Sequence, residues 1–252
     1  MIENFKFTSK AAYEKATYEF PCKIVAVVVA GGSSTRMGTG KNKLYLDLAG
    51  KPVLAVTLEV FQNSSLIDYI VIVSNKQDIE YCHNDIVSKY NLSKVHFVVH
   101  GGQSRQQSVY NGLLAVPAEC GIILIHDGAR PFVSQDIIKR CIETVKESGC
   151  ACTAVPVKDT IKTADKEHFI TDTFQRENLW SVQTPQAFWT ADILAAHQKA
   201  IEEGYSGTDD AVLMERTGMK VKLVMGSYEN IKITTIEDHA FAEFLAGRST
   251  SF

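Results

Sequence analysis

Ile24-Val25-Ala26-Val27-Val28-Val29 runs straight into Ala30-Gly31-Gly32-Ser33-Ser34-Thr35-Arg36-Met37-Gly38, with Lys41 and Lys43 just beyond. An apolar, largely β-branched run with no polar residue alternating through it is the pattern of a strand buried on both faces. Short runs of the same kind return at Tyr69–Val73, Val95–Val99, Ile122–Ile125 and Ala151–Val157. Helix-length amphipathic stretches lie between them, near 52–62, 76–90, 104–116 and 134–148. Pro52 suits a first helical position and Ser134 a cap. Strands alternating with helices in this way predict an α/β chain with a mostly parallel sheet covered on both faces. Ligands of such sheets bind outside the carboxyl ends of the strands, so the residues directly after each strand are the ones to inspect.

The alternation stops at Lys158. Residues 158–179 are polar, with strand-like pieces at Thr160–Thr163 and His168–Thr173 around Ala164-Asp165-Lys166-Glu167. They read as a hairpin arm projecting from the core. Helical stretches at 189–203 and 208–217 follow, then strands at 220–225 and 230–234 and a last helix, 236–246, capped by Thr235. The expected organisation is an amino-terminal extension over 1–22, one domain over 23–247 that includes the arm, and a short tail over 248–252.

With 252 residues, 45% of them hydrophobic and 22% charged, the chain can bury a core without disulfides or a structural metal. A net charge of −3 argues against a general nucleic-acid surface, which draws its affinity from Lys and Arg on phosphates. It leaves room for one local cationic pocket. Six cysteines, at 22, 82, 120, 141, 150 and 152, show no metal-binding spacing and read as free thiols of a cytoplasmic protein. The longest apolar run, Ile24 to Ala30, falls far short of the ~20 residues of a membrane helix. Glu3, Lys10, Glu14, Lys15 and Glu19 break up every apolar stretch before Pro21, so no secretory signal is expected.

Small residues after the first strand let backbone N–H groups approach an anion, with Arg36, Lys41 and Lys43 supplying charge. The spacing fits neither a Walker A loop nor the G-x-G-x-x-G dinucleotide fingerprint, and the plain alternative is a flexible strand–helix loop. The fourth strand ends in His126-Asp127-Gly128-Ala129-Arg130-Pro131. A carboxylate there is well placed to hold Mg²⁺ beside phosphates, and its alternative is a surface Asp–Arg pair. His126 reads as a packed histidine rather than a ligand. Gly101-Gly102-Gln103-Ser104-Arg105-Gln106-Gln107-Ser108 opens a helix and suits a base or ribose, although Gly-Gly before a helix is also common punctuation. Arg176 on the arm reads as solvated, Lys232 as the wet face of a strand, Gln183-Thr184-Pro185-Gln186 as a polar turn and Thr208-Asp209-Asp210 as a helix cap.

The joint order of these stretches is more telling than any one of them. AGGSSTRMG, NKLYL, GKPVL, GGQSRQQSV, HDGARPFV, VPVKDTIK, RENLW, QTPQAF, TDDAVL and ENIKITTIEDH closely resemble the 2-C-methyl-D-erythritol 4-phosphate cytidylyltransferases over about residues 24–246. The resemblance implies a Rossmann-like three-layer nucleotidyltransferase fold, α/β, with a mostly parallel sheet and a projecting β-arm. It implies transfer of CMP from CTP to a sugar-alcohol phosphate in non-mevalonate isoprenoid synthesis, with release of pyrophosphate. It further implies that Arg36 and Lys43 neutralise the triphosphate and that Arg176 and Lys232 position the second substrate's phosphate. Ala30, Gly31, Gly32, Gly102 and Ser108 would recognise CTP, and Asp127 would hold Mg²⁺. Asp127, Arg130, Thr208 and Asp209 would lie near the second substrate. A homodimer, with Arg176 completing the neighbour's site, is implied as well; a nucleic-acid or membrane partner is not. Asn42-Lys43-Leu44 departs from the family's usual Pro-Lys-Gln, Ser34 stands where glycine is frequent, and Gly128 where alanine is frequent.

The chemistry asks for these residue types independently. A phosphate oxygen attacking an α-phosphorus brings two polyanions together, and fixed cations with a metal offset the repulsion. Since a phosphate dianion is already a nucleophile, no Ser–His or Cys–His pair is required. A ribitol-5-phosphate cytidylyltransferase resembles the chain in fold and most stretches, and a catalytically silent nucleotide-binding homologue is the alternative from another class.

Overall fold

The computed structural model describes residues 22–31 and 42–249. Strand β1, Lys23–Ala30, begins the sheet and is followed by a short β2–β3 hairpin, Asp47–Leu48 and Lys51–Pro52, and by helix α1, Val53–Gln62. Next come β4, Tyr69–Ser74, β5, Val95–His100, helix α2, Arg105–Leu114, and β6, Cys120–Asp127. Helix α3, Gln135–Ser148, leads to β7, Cys150–Pro156, and then to the arm strands β8, Lys162–Ala164, and β9, Ile170–Thr173. The chain returns through β10, Trp180–Trp189, and continues as α4, Thr190–Glu202, α5, Ala211–Arg216, β11, Lys222–Met225, and α6, Ile236–Ser249.

The main sheet has the order β11-β7-β10-β6-β1-β4-β5. Strands β6, β1, β4 and β5 pair in parallel, β7 runs parallel to β11, and β10 is antiparallel to both of its neighbours. The unbroken apolar run of β1 is explained by what covers it. Ile24, Ala26, Val28 and Ala30 join one core layer with α1 and α3, while Val25, Val27 and Val29 join the opposite layer with α2, α4 and α5. The result is an α/β/α sandwich. Full burial of each such valine or isoleucine stabilises the fold by roughly 1.5–3 kcal/mol relative to exposure. Helix α3 is stopped at both ends: the Ser134 hydroxyl accepts from the Ile137 N–H at 3.3 Å, and Gly149 closes it at φ 87°. Pro52 stands one residue earlier than expected, at the cap of α1 rather than inside it.

Three expectations need correction. The polar turn expected at Gln183-Thr184-Pro185-Gln186, where a proline interrupts the pattern, is instead part of strand β10. Pro185 has no N–H for the ladder, and the pairing with β7 skips from Val182 to Gln186, while the Pro185 carbonyl accepts from Thr153 Oγ1 at 2.6 Å. Residues 230–234 do not form a strand. They cross the end of the sheet, with the Ile233 N–H bonded to the Ala129 carbonyl at 2.9 Å and the Ile233 side chain buried with Leu48, Val53 and Ala242. The 76–90 helix divides into a 3₁₀ turn, Lys76–Asp78, a short α segment, Ile79–Tyr81, and a π-helical stretch, Cys82–Ser88. The arm forms as expected, as an exposed hairpin with Phe169 and Ile170 more than half accessible.

Gly112 marks where α2 lies closest to the sheet, since a Cβ there would come within 2.7 Å of both Val27 Cγ1 and Val73 Cγ2. Alanine favours helix over glycine by about 1 kcal/mol, but two β-branched neighbours cannot rotate away. Gly112→Ala is expected to be net destabilising, by about 1–2 kcal/mol, through overpacking. Urea unfolding should show a lower midpoint at unchanged slope, and a raised midpoint would refute the close packing.

Candidate active site

The chain leaves β1 towards β4 and β5 on one side, then returns to place β6 on the other. The order therefore reverses between β1 and β6, and their carboxyl ends form the crevice in which ligands of such sheets bind. Register aligns the four ends: Val29 lies opposite Asp127, Ala30 opposite Ser74, and Ser74 opposite His100.

Around the β1 end the structure assembles Ala30, Gly31, Gly102 and Ser108. The Gly101 N–H donates to the Ser74 carbonyl at 2.7 Å. Ser108 Oγ accepts from the Gly102 N–H at 3.0 Å and donates to the Ser104 carbonyl at 2.8 Å. A Cβ at Gly102 would collide with the Gln107 side chain, and one at Gly31 would touch Asn75 Oδ1 at 3.5 Å. Glycine is therefore required at 102 for the loop to fold back on α2. Lys43 opens a 3₁₀ turn, Lys43–Tyr45, tethered to this edge: Asp78 Oδ2 accepts from both Asn42 Nδ2 at 3.2 Å and Asn75 Nδ2 at 3.0 Å. Arg36 and Gly32 lie outside the described residues.

At the β6 end Asp127 is surrounded by cations. Its Oδ1 is 3.2 Å from Arg105 Nε, and its Oδ2 is 2.8 Å from Lys232 Nζ and 3.8 Å from Arg130 Nε. Burial by itself raises the Asp127 pKa, but Arg105, Lys232 and Arg130 outweigh it and hold the carboxyl well below the usual range. Arg130 is anchored by Nη1 to the Asn230 carbonyl at 2.7 Å, and the Asn230 amide donates to Gln183 Oε1 and to the Thr184 carbonyl. Lys232 therefore faces the site rather than solvent alone, because the 230–234 crossing turns Ile233 inward and Lys232 towards Asp127.

His126 is the packed histidine expected. Its Nε2 lies 3.0 Å from the Arg130 carbonyl and must donate to it, leaving Nδ1 to accept from Thr184 Oγ1 at 3.0 Å. Thr184 Oγ1 in turn accepts from the Asp127 N–H at 3.0 Å. The polar residues of β10 thus fix the backbone of Asp127 from behind.

Asp209 accepts from Gln186 Nε2 at 2.8 Å and from the Val212 N–H at 3.0 Å, so the helix-cap reading of Thr208-Asp209-Asp210 holds for Asp209. Thr208 is exposed beside it. Arg176 stands elsewhere: its Nη1 donates to the Lys158 carbonyl at 2.7 Å, at the base of the arm, and it takes no part in the Asp127 cluster.

A family model described as 2-C-methyl-D-erythritol 4-phosphate cytidylyltransferase (IspD) matches residues 24–248. The chain belongs to this family. A cytidylyltransferase of this name from Caldanaerobacter subterraneus subsp. tengcongensis is 50% identical over 220 residues, covering 87% of this chain and 97% of the relative. Another, from Geobacter metallireducens, is 48% identical over 223 residues, covering 87% and 96%. Among solved structures, 4-diphosphocytidyl-2C-methyl-D-erythritol synthase from Anaerococcus prevotii superposes with a TM-score of 0.80 at 35% identity, covering 90% of this chain and 97% of that one. The cytidylyltransferase from Thermus thermophilus gives 0.75 at 30% identity, covering 89% and 99%.

This member of the IspD family carries site residues that sequence reasoning passed over. Arg105 stood inside a stretch read for its glycines and hydroxyls, and Asp210 inside the Thr208-Asp209-Asp210 stretch read as a helix cap. Arg105 lies 22 positions from Asp127 and 105 positions from Asp210 along the sequence, yet it joins the two. No local signal could have found the third partner, His197, a lone histidine on the apolar face of α4.

His126 also gives the fold a pH dependence. It is buried edge-on to Phe61, and burial pushes its pKa down to about 4. The unfolded value is about 6.5, so between the two the unfolded chain binds a proton that the folded chain refuses. Stability is therefore lost as pH falls through this window, with His126 accounting for about 2 kcal/mol between about pH 7.5 and about pH 5. Urea unfolding of His126→Asn should show a correspondingly smaller decline over that range; an equal decline would contradict a neutral buried imidazole.

Proposed function

We propose that the chain transfers CMP from CTP to 2-C-methyl-D-erythritol 4-phosphate, giving the diphosphocytidyl product and pyrophosphate. The observation that carries this reading is the cationic cluster around Asp127 at the sheet's reversal point, in a chain whose relatives bear this enzyme's name over nearly their whole length. An oxygen of the sugar phosphate attacks the α-phosphorus, the new P–O bond forms, and the bond to the β-phosphate oxygen breaks. Both substrates are polyanions, so the work is positioning and charge neutralisation.

Lys43 and Arg36 are assigned to the triphosphate, and Lys232 to the attacking phosphate. The Lys232 ammonium has three N–H donors, so it can keep Asp127 and still hold a phosphate oxygen. Arg130, Thr208 and Asp209 flank the second substrate, and Ala30, Gly31, Gly102 and Ser108 line the cytidine end, to which the family resemblance also assigns Gly32. Ser108 Oγ already donates to a backbone carbonyl, which ties it to the loop rather than to chemistry. Burial pushes the thiols of Cys120 and Cys152 up to about 12, which keeps them protonated and poor nucleophiles.

Among the described residues no cluster of three or more His, Cys, Asp or Glu side chains is disposed to hold a metal. One carboxylate, Asp127, fits an ion that arrives on the triphosphate, because Mg²⁺ is commonly held by one or two carboxylates plus substrate phosphates. When bound, Mg²⁺ supplies Lewis-acid neutralisation of the phosphate oxygens.

The arm supports a homodimer. Ile161, Phe169, Ile170 and Phe174 are exposed on it, and an isolated two-stranded hairpin is at best marginally stable in water. In this reading Arg176 reaches the neighbour's site. Six free cysteines support a cytoplasmic location, and among the described residues no helix is long and apolar enough to cross a membrane.

Pyrophosphate release should be sustained with CTP, Mg²⁺ and 2-C-methyl-D-erythritol 4-phosphate, and turnover with ribitol 5-phosphate alone would overturn the choice of substrate. Lys232→Ala should raise the KM for the sugar phosphate by about tenfold or more while CTP affinity is kept, reflecting one lost charge-assisted contact. Mixing Arg176→Ala with Arg36→Ala chains should raise activity above that of either variant alone, since half the dimers are hybrids with one complete site each. No recovery despite demonstrated subunit exchange would refute the shared site.

A further inference from the structure

We propose that Arg105 is a positioning residue that registers the 205–211 segment, and with it Thr208 and Asp209, against Asp127 at the end of β6. The inference rests on the proposed reaction for its kinetic consequences. Its structural basis is a guanidinium held at two points by carboxylates from different parts of the chain.

Arg105 is the first residue of α2, directly after the Ser104 cap, so the nucleotide-side loop fixes its backbone. Its Nε faces Asp127 Oδ1 at 3.2 Å and its Nη1 faces Asp210 Oδ2 at 2.8 Å. Asp210 is buried, and its other oxygen lies 3.2 Å from Nε2 of the wholly buried His197 on α4. Burial lowers the pKa of Arg105, but the two carboxylates outweigh it and drive the pKa upward; burial likewise raises Asp210, yet Arg105 and His197 hold it down. Both groups are therefore held charged. The neighbouring Gln106 grips the same segment, its Nε2 donating to the Tyr205 carbonyl at 3.1 Å and its Oε1 accepting from the Gly207 N–H at 2.8 Å. From the opposite side Gln186 Oε1 accepts from the Asp210 and Ala211 N–H groups at 3.1 and 2.9 Å.

Only arginine meets this geometry. Its planar fork presents separate N–H groups to the two carboxylates, whereas a lysine ammonium is a single point charge on a flexible stem. Arg105→Lys keeps the charge and removes the bridge. The segment carrying Thr208 and Asp209 then loses its register, and misplacement of about 1 Å is enough to cost on the order of 100-fold in rate.

The test uses the full-length protein with Arg105→Lys and Asp210→Asn. Arg105→Lys should keep CTP affinity within about threefold by calorimetry, while kcat/KM for 2-C-methyl-D-erythritol 4-phosphate falls by about tenfold or more. Asp210→Asn should show the same bias, and the double variant should lose less than the product of the single losses, because both remove one bridge. Hydrogen exchange over residues 205–212 is independent of turnover and should be faster in Arg105→Lys by about tenfold or more, reporting local opening. Unchanged exchange together with wild-type kinetics for the sugar phosphate would overturn the proposal. So would a loss confined to CTP affinity. If wild type fails to turn over either sugar phosphate, the reaction assignment falls, while the exchange measurement still decides the clamp. If Arg105→Lys does not fold, Asp210→Asn is judged by the same criteria.

Discussion

The site depends on a single buried carboxylate facing three cations at the point where the sheet's strand order reverses. Asp127 ends a strand that is buried along its whole length, so its position is set by the core and not by the loop that follows. Placing an ionised carboxyl there is costly unless it is paired. Arg105, Arg130 and Lys232 meet that cost, and each comes from a different element: the start of α2, the turn after β6, and the crossing at 230–234. Satisfying one aspartate therefore draws two remote pieces of chain, the start of α2 and the 230–234 crossing, against the turn that follows β6. Of the three cations Lys232 is the most exposed.

Much of this was legible in the sequence, and the reasons are physical. The β1 run could be read because burial on both faces removes polar alternation. The arm could be read because its polarity breaks a long apolar rhythm. Strand β10 could not, since its polar residues and Pro185 imitate a turn; they are polar because Thr184, Gln183 and Gln186 each hold a buried partner at the site. Lys232 between two isoleucines was legible as an alternation but not as an ion pair, because its partner lies far earlier in the chain. Arg105, Asp210 and His197 were invisible for the same reason. Their meaning is entirely in who they meet, and composition and spacing along the chain carry no record of that.

Net charge misleads in the same way. At −3 the whole chain looks unsuited to polyanions, yet the charge is arranged so that cations converge where β1 and β6 end. Local placement within a partly buried crevice strengthens each interaction relative to open water and avoids reorganisation when phosphate arrives. The buried thiols and the hydroxyl of Ser108, each already committed to packing or to backbone bonds, leave the reaction to the substrates' own oxygens.

That claim, a single direct displacement steered by fixed charges, is tested most directly by the stereochemical course at phosphorus. With one diastereomer of CTP bearing sulfur on the α-phosphorus, in-line attack by the sugar phosphate predicts inversion of configuration in the product. Retention would mean two successive displacements through a covalent cytidylyl-enzyme, and would contradict the account.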